Sequence, residues 1–191
     1  FKGKIINSHG APLPEYKGGG GLTWRYLNAD NRGRVLFHIV NEKIDQGEII
    51  FQRKFRFNIN KSILDWINLQ NYHEKLAIIK ILDMIYKNRI IQLKKQNNLL
   101  GSYFPRINSA INGYINFSWK GNEIHRFIGA FSYPYEGAKT FINNHKIYIL
   151  NSNFIKNKNI NKHSFLNGLI FEKKNNYIYW LVNGGYLKIK E

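Results

Sequence analysis

An Asn-x-His triplet, Asn7-Ser8-His9, and a later aspartate, Asp45, are the residues of this chain whose types suit proton transfer and oxyanion stabilisation. A neutral imidazole can accept a proton or donate to a developing oxyanion, and a carboxamide NH2 is a fixed oxyanion donor. A carboxylate can orient an imidazole and raise its basicity. Alternation along an extended segment sends residues 7 and 9 to the same side. The set therefore fits acyl transfer, with Asn7 and His9 at the reacting carbonyl and Asp45 supporting the imidazole. On residue types alone, a structural role for the triplet stays open.

Positioning these groups requires elements that the chain supplies in order. Residues 2–7 read as the end of a short buried strand, which places Asn7 and His9 where open α/β sheets carry ligand-binding groups. A turn-rich segment follows, with Pro12, Pro14 and the run Gly18 to Gly21. Residues 22–27 suit a short helix. The β-branched and aromatic run at 34–40 predicts a strand, 41–48 a polar loop carrying Asp45, and 49–57 a second strand. Ser62 with Asp65 three residues on marks a helix start. Apolar residues Ile63, Trp66, Ile67, Leu76, Ile79, Leu82, Met84 and Ile85 then sit near helical spacing to about residue 93, as one helix or two. Residues 96–111 read as a linker with a docked aromatic pair in S-Y-F-P-R. Beyond it, 122–131 predicts a short helix, and the rest reads as strands, with hairpin signals at Asn143-Asn144 and Asn183-Gly184-Gly185. The reading is an α/β unit over 1–95, a linker over 96–111 and a small, mostly antiparallel β unit over 112–191.

The composition narrows the function classes. The 191 residues are 43% hydrophobic and 15% aromatic, which suits packed cores rather than disorder. There is no Cys, which excludes disulfide frameworks, thiolate nucleophiles and Cys-ligated metals. No apolar run approaches the roughly 20 residues of a membrane span. The 29 basic and 12 acidic side chains give +17, divided as +9 over residues 1–95 and +8 over 96–191. An even spread among Asn and Ile is what a biased genome composition produces, whereas a nucleic-acid module concentrates its charge; either way the field attracts phosphate-bearing substrates. Gly18 to Gly21 is a loop for close approach or a backbone phosphate cradle. His38 reads as a packed strand histidine, and His73, His125, His145 and His163 lack metal-ligand spacing. Trp66, Trp119 and Trp180 read as core or interface residues, and Tyr133-Pro134-Tyr135 as a turn.

The string N-S-H-G-A-P-L-P-E-Y-K-G at 7–18, followed by K-I-D-Q-G-E-I-I at 43–50, resembles the formyltransferases that use 10-formyltetrahydrofolate. The resemblance continues through S-Y-F-P-R at 102–106, G-Y-I-N-F-S-W at 113–119 and E-I-H-R-F-I-G-A-F-S-Y-P-Y-E-G-A at 123–138. The Asn7 to Asp45 separation is the one the family shows. Two positions depart from it. Arg32-Gly33-Arg34-Val35 stands where Thr-Gly-Val-Thr is usual, and Gly129 where the family often has Arg.

The resemblance implies the C-terminal half of a Rossmann-like formyltransferase domain followed by an OB-like β domain, with further domain residues upstream of Phe1. It implies Asn7, His9 and Asp45 as catalytic residues and Asp45 with Gly47 at the 10-formyltetrahydrofolate site, with no metal. Lys17, Gly18, Gly19 and Arg25 are the expected contacts to the acceptor's diphosphate. The expected acceptor is a nucleotide-linked amino sugar, as for a bacterial surface polysaccharide; the alternatives are methionyl-tRNA and a basic binding module without catalysis. Gly-Gly-Gly-Gly-Leu-Thr-Trp at 18–24, in place of the tRNA enzymes' usual Ala-Ala-Pro-Ile, leans toward the sugar. A cytoplasmic location without membrane contact is implied, and the oligomeric state, with a homodimer among the options, is open.

Overall fold

The β-branched and aromatic run after residue 31 forms the middle strand of the sheet that carries the triplet. The computed structural model describes residues 5–157, 159 and 163–190, so the first three residues of the strand expected at 2–7 lie outside the described residues. Two compact units divide the chain, Phe1–Ile107 and Asn108–Glu191.

In the first unit, β1 (Ile6–His9) is followed by β2 (Lys17–Gly18), α1 (Gly21–Leu27), β3 (Arg32–Ile39), β4 (Ile49–Arg56), α2 (Ile63–Tyr86) and β5 (Tyr103–Phe104). The sheet order is β1-β3-β4, antiparallel throughout. Side-chain alternation divides its two faces. Val35 and Phe37 of β3 pack with Ala77 and Ile81 of α2 and with Ile6, Phe51 and Phe55. Leu36 turns the other way and packs with Leu13 and Ile49. Register places Asn7 opposite His38 and His9 opposite Leu36, so Asn7, His9, Leu36 and His38 share the face away from α2. On the α2 face, the Ser8 hydroxyl donates to the Glu74 carboxylate, and this pins β1 to the helix.

Helix α2 begins in the expected capping box. The Asp65 N–H donates to Ser62 Oγ at 3.1 Å, and Ser62 N–H donates to the Asp65 carboxylate, also at 3.1 Å. It is one helix and stops at Tyr86 rather than near 93. Asn88, with φ 48, takes the left-handed conformation that ends helices. Its buried residues are Ile63, Trp66, Ala77 and Ile81, whereas Ile79, Leu82 and Ile85, which share the helical spacing, are exposed. The segment expected as a linker starts inside this unit. β5 pairs in parallel with β2, Phe104 stacks on Tyr16 at 4.9 Å, and Trp24 Nε1 donates to Pro105 O at 2.9 Å.

The second unit holds α3 (Ser109–Asn112), α4 (Gly121–Phe131), β6 (Ala138–Ile142), β7 (His145–Ile149), β8 (Asn153–Lys156), β9 (Ile170–Lys174), β10 (Tyr177–Val182) and β11 (Gly185–Lys190). β6 and β7 form a hairpin, and the remaining strands form an antiparallel sheet in the order β8-β11-β10-β9. Asn143 and Asn144 turn the first hairpin with φ 48 and 64, and Asn175 and Asn176 turn β9 into β10 with φ 52 and 61. Two successive positive φ values are what a two-residue hairpin matching the sheet twist demands, and Asn tolerates them. Ile124, Phe127, Ile128 and Phe131 of α4, with Trp180, Val182 and Leu187, are buried. This is the mixed α/β unit followed by a small antiparallel β unit that the sequence implies.

Candidate active site

The strand β1 and the loop after β3 bring the triplet and the aspartate together. His9 is buried, and its Nε2 lies 2.7 Å from the carbonyl oxygen of Tyr16. A carbonyl only accepts, so Nε2 carries the proton and Nδ1 is the basic nitrogen. Nδ1 faces Asp45 Oδ2 at 3.6 Å, beyond hydrogen-bond reach. The ring is therefore fixed by Tyr16 rather than by Asp45, a correction to the expected arrangement. Burial holds the His9 imidazole below its usual pKa, against the opposing pull of the Asp45 carboxylate and the Tyr16 carbonyl. At neutral pH the ring is thus an uncharged base beside a carboxylate.

Asp45 is held by backbone. Its Oδ2 accepts the Gly18 N–H at 2.8 Å, and its own backbone sits at φ 52. Gly18 has to be glycine: its φ is 93, and a Cβ would run into the Phe104 carbonyl and the Tyr103 ring. Gly47, expected beside the folate, lies where a Cβ would collide with the Ile39 carbonyl. Its small size lets the Asp45 loop fold back onto the end of β3.

His38, read from sequence as a packed residue, belongs to this cluster. It is 2% exposed. Its Nδ1 donates to Ile39 O at 3.0 Å, which leaves Nε2 to accept from the Asn7 amide at 3.2 Å. The Asn7 carboxamide is exposed at the strand end, oriented through one N–H and retaining the other for a ligand oxygen. His38 Nε2 also lies 3.4 Å from Asp45 Oδ1, and the His9 and His38 rings are 6.4 Å apart. Only the Asn7–His38 register, a long-range pairing, reveals this role.

The expected diphosphate contacts are placed differently. Arg25 is wholly buried. Its Nε donates to Gly21 O at 3.0 Å, its Nη1 to Arg32 O at 2.8 Å, and its Nη2 to Gly10 O at 2.5 Å and Gln70 Oε1 at 2.9 Å. The guanidinium also lies 5.1 Å over the Phe57 ring. It ties together the turns on either side of α1, and burial pulls its pKa down to about 10. Lys17 is buried in β2, and the Gly18 and Gly19 N–H groups are committed to Asp45 Oδ2 and Phe104 O. These two N–H groups of the glycine-rich turn therefore hold the Asp45 loop and β5. Among the described residues no group of His, Asp or Glu is arranged to hold a metal ion, and no helix is long and apolar enough to cross a membrane.

Comparison with known proteins gives two matches to family models. "Formyl transferase" covers residues 1–81, and "Formyl transferase, C-terminal domain" covers residues 109–191. A methionyl-tRNA formyltransferase of Finegoldia magna is 28% identical over 195 residues, covering 99% of this chain and 59% of that protein. The solved structure of WlaRD, a sugar 3N-formyl transferase in the presence of dTDP and 5-N-formyl-THF, is 31% identical. Its TM-score is 0.69, over 98% of this chain and 64% of that one. An N-formyltransferase from Helicobacter canadensis, in complex with folinic acid and dTDP-3-aminofucose, is also 31% identical. Its TM-score is 0.70, over 98% and 65% of the two chains. The chain thus spans less than two thirds of the length of these relatives.

Proposed function

Because the chain belongs to the formyltransferase family, we propose that it carries the catalytic groups for moving a formyl group from 10-formyltetrahydrofolate to the primary amine of a nucleotide-linked amino sugar. The observation that carries this reading is the convergence of an exposed Asn7 amide, the His9 Nδ1 lone pair and the Asp45 carboxylate at one strand end. 10-Formyltetrahydrofolate, as co-substrate, supplies an acylated nitrogen whose C–N bond breaks while the acceptor's N–C bond forms.

Each residue has a defined task. The free N–H of Asn7 donates to the formyl oxygen as it gains negative charge, while His38 holds the amide in place. His9 Nδ1, uncharged because of burial, takes the proton that the attacking amine loses, and the adjacent carboxylate of Asp45 stabilises the imidazolium that results. The proton then passes to the departing folate nitrogen. Tyr16 O keeps the ring from rotating throughout.

The sugar acceptor is supported by the two solved relatives at 31% identity, described with dTDP or dTDP-3-aminofucose. A second reading, methionyl-tRNA as acceptor, is favoured by the Finegoldia magna relative, which aligns with 99% of this chain. Salt dependence separates the two. A nucleotide-sugar presents about two phosphate charges and gives a shallow log-log slope, whereas tRNA releases several counterions and loses affinity by orders of magnitude between low and moderate salt. The expected result is formylation of a dTDP-linked amino sugar with the shallow slope. Formylation of charged initiator tRNA with a steep slope would replace the sugar by tRNA and leave the three residues in their roles.

A further inference from the structure

We propose that Gln96 is a positioning residue for this reaction, clamping the loop that aims the Asp45 carboxylate at the reacting groups; the inference rests on the roles given above to Asn7, His9 and Asp45. Asp45 has φ 52, a backbone region that a non-glycine residue occupies only when its surroundings hold it there. Something must supply that hold. The Asp45 carboxylate accepts from Gly18, but this bond depends on the loop being in place and does not itself fix the loop's backbone.

Gln96 supplies the hold from the segment after α2. Its Nε2 donates to Asp45 O at 3.0 Å and to Gly47 O at 2.6 Å. One NH2 thus grips the peptide carbonyls on both sides of Gln46. The amide orientation follows from this contact, because a reversed side chain would set Oε1 against two carbonyl oxygens. Oε1 itself is buried without a partner. Both of the side chain's donors are therefore spent on the loop, and its acceptor is left unused. An apolar side chain would fill the same space but leave both loop carbonyls without this donor.

The segment that carries Gln96 is anchored without its side chain. Ile49 N–H donates to Lys94 O at 2.8 Å, and Lys94 N–H donates to Ile49 O at 2.9 Å. Downstream, Lys17 N–H donates to Ser102 O at 3.0 Å. Shortening Gln96 therefore frees the loop while the chain on either side stays docked.

The test is steady-state and single-turnover formyl transfer by the full-length protein carrying Gln96→Ala, Gln96→Glu, Asp45→Asn or Gln96→Ala with Asp45→Asn. Gln96→Ala is expected to lower kcat about 10²-fold, the cost of a roughly 1 Å misplacement at a reacting centre, with little change in acceptor KM. Gln96→Glu keeps the volume but turns carboxylate oxygens toward two carbonyls, so it loses at least as much; it also serves if Gln96→Ala does not fold. In the Asp45→Asn background, Gln96→Ala should cost little more, because the two act through one group. The Gly18 amide resonance, whose N–H bonds the Asp45 carboxylate, should shift in Gln96→Ala. Normal kcat in both Gln96 variants alongside a slow Asp45→Asn enzyme would overturn the role of Gln96 and leave the proposed function standing. Additive losses in the double variant, or an unmoved Gly18 resonance, would do the same. Normal kcat in Asp45→Asn itself would instead overturn the proposed function.

Discussion

Replacing Arg25 by Met separates the two roles that this residue can have. Arg25 looks from the sequence like a ligand for a diphosphate, but the folded chain spends its guanidinium on Gly10 O, Gly21 O, Arg32 O and Gln70 Oε1. Methionine keeps the apolar length and removes every donor. Four part-buried acceptors lose a guanidinium hydrogen bond, at about 1.5 kcal/mol each. Against this, the variant no longer bears the desolvation that pulls Arg25 down to about 10, worth about 3 kcal/mol at 1.36 kcal/mol per pKa step. The net expectation is a destabilisation of about 3 kcal/mol, in the range that distinguishes a broken buried network from a surface change. Urea unfolding would show a lower midpoint at unchanged slope, while titration calorimetry with a dTDP-linked amino sugar would show nearly unchanged affinity. Unaltered stability together with markedly weaker nucleotide binding would refute the assignment and restore Arg25 as a substrate contact.

Other perturbations test separate parts of the structure. Asp30 is held at about 2 by the Arg32 guanidinium, which contacts it at 2.7 Å; its folded pKa lies below the unfolded one, so its contribution of about 1 kcal/mol is present above pH 4 and fades as pH falls from about 4 to about 2. Asp30→Asn should flatten acid unfolding in that window, and an unchanged pH profile would count against the pair. Gly18→Ala places a Cβ against the Phe104 carbonyl at φ 93, so it should displace the bond to Asp45 and lower kcat at least as much as it lowers the melting temperature; normal turnover would show that the close approach is dispensable. Ser62→Ala removes the side-chain half of the α2 cap and should cost about 1 kcal/mol in chemical unfolding with kcat unchanged, whereas a large kcat loss would tie α2 to the chemistry.

Much of the frame is written locally in the sequence. Val35 to Ile39 reads as a strand because β-branched and aromatic residues fit a pleated, half-buried surface. Ser62 with Asp65 starts a helix, and Asn143-Asn144 turns a hairpin, through bonds and φ values within a few residues. Asn175-Asn176 carries the same signal and was legible by the same rule. The end of α2 was less so, since the apolar spacing continues past Tyr86 while a single left-handed Asn88 stops the helix. Residues whose roles depend on distant partners were illegible. His38 joins the site only because antiparallel register sets it opposite Asn7. Gln96 acts on carbonyls of a loop far back in the chain, and no pattern of side chains announces such a contact. Arg25 beside a glycine run suggests phosphate binding, and only the inward carbonyls of Gly10, Gly21 and Arg32 show that the charge is turned to the interior.

The claim that His9, with its tautomer fixed by Tyr16, is the base at the formyl transfer centre is tested most directly by single-turnover rates of His9→Ala with 10-formyltetrahydrofolate and a dTDP-linked amino sugar, both saturating. The chemical step should slow by about 10²- to 10⁴-fold, the contribution of one positioned base, with acceptor affinity close to that of the unsubstituted protein. A transfer rate within a few-fold of the unsubstituted protein would contradict the account, because the amine's proton would then need no imidazole and the Asp45 carboxylate no imidazolium to stabilise.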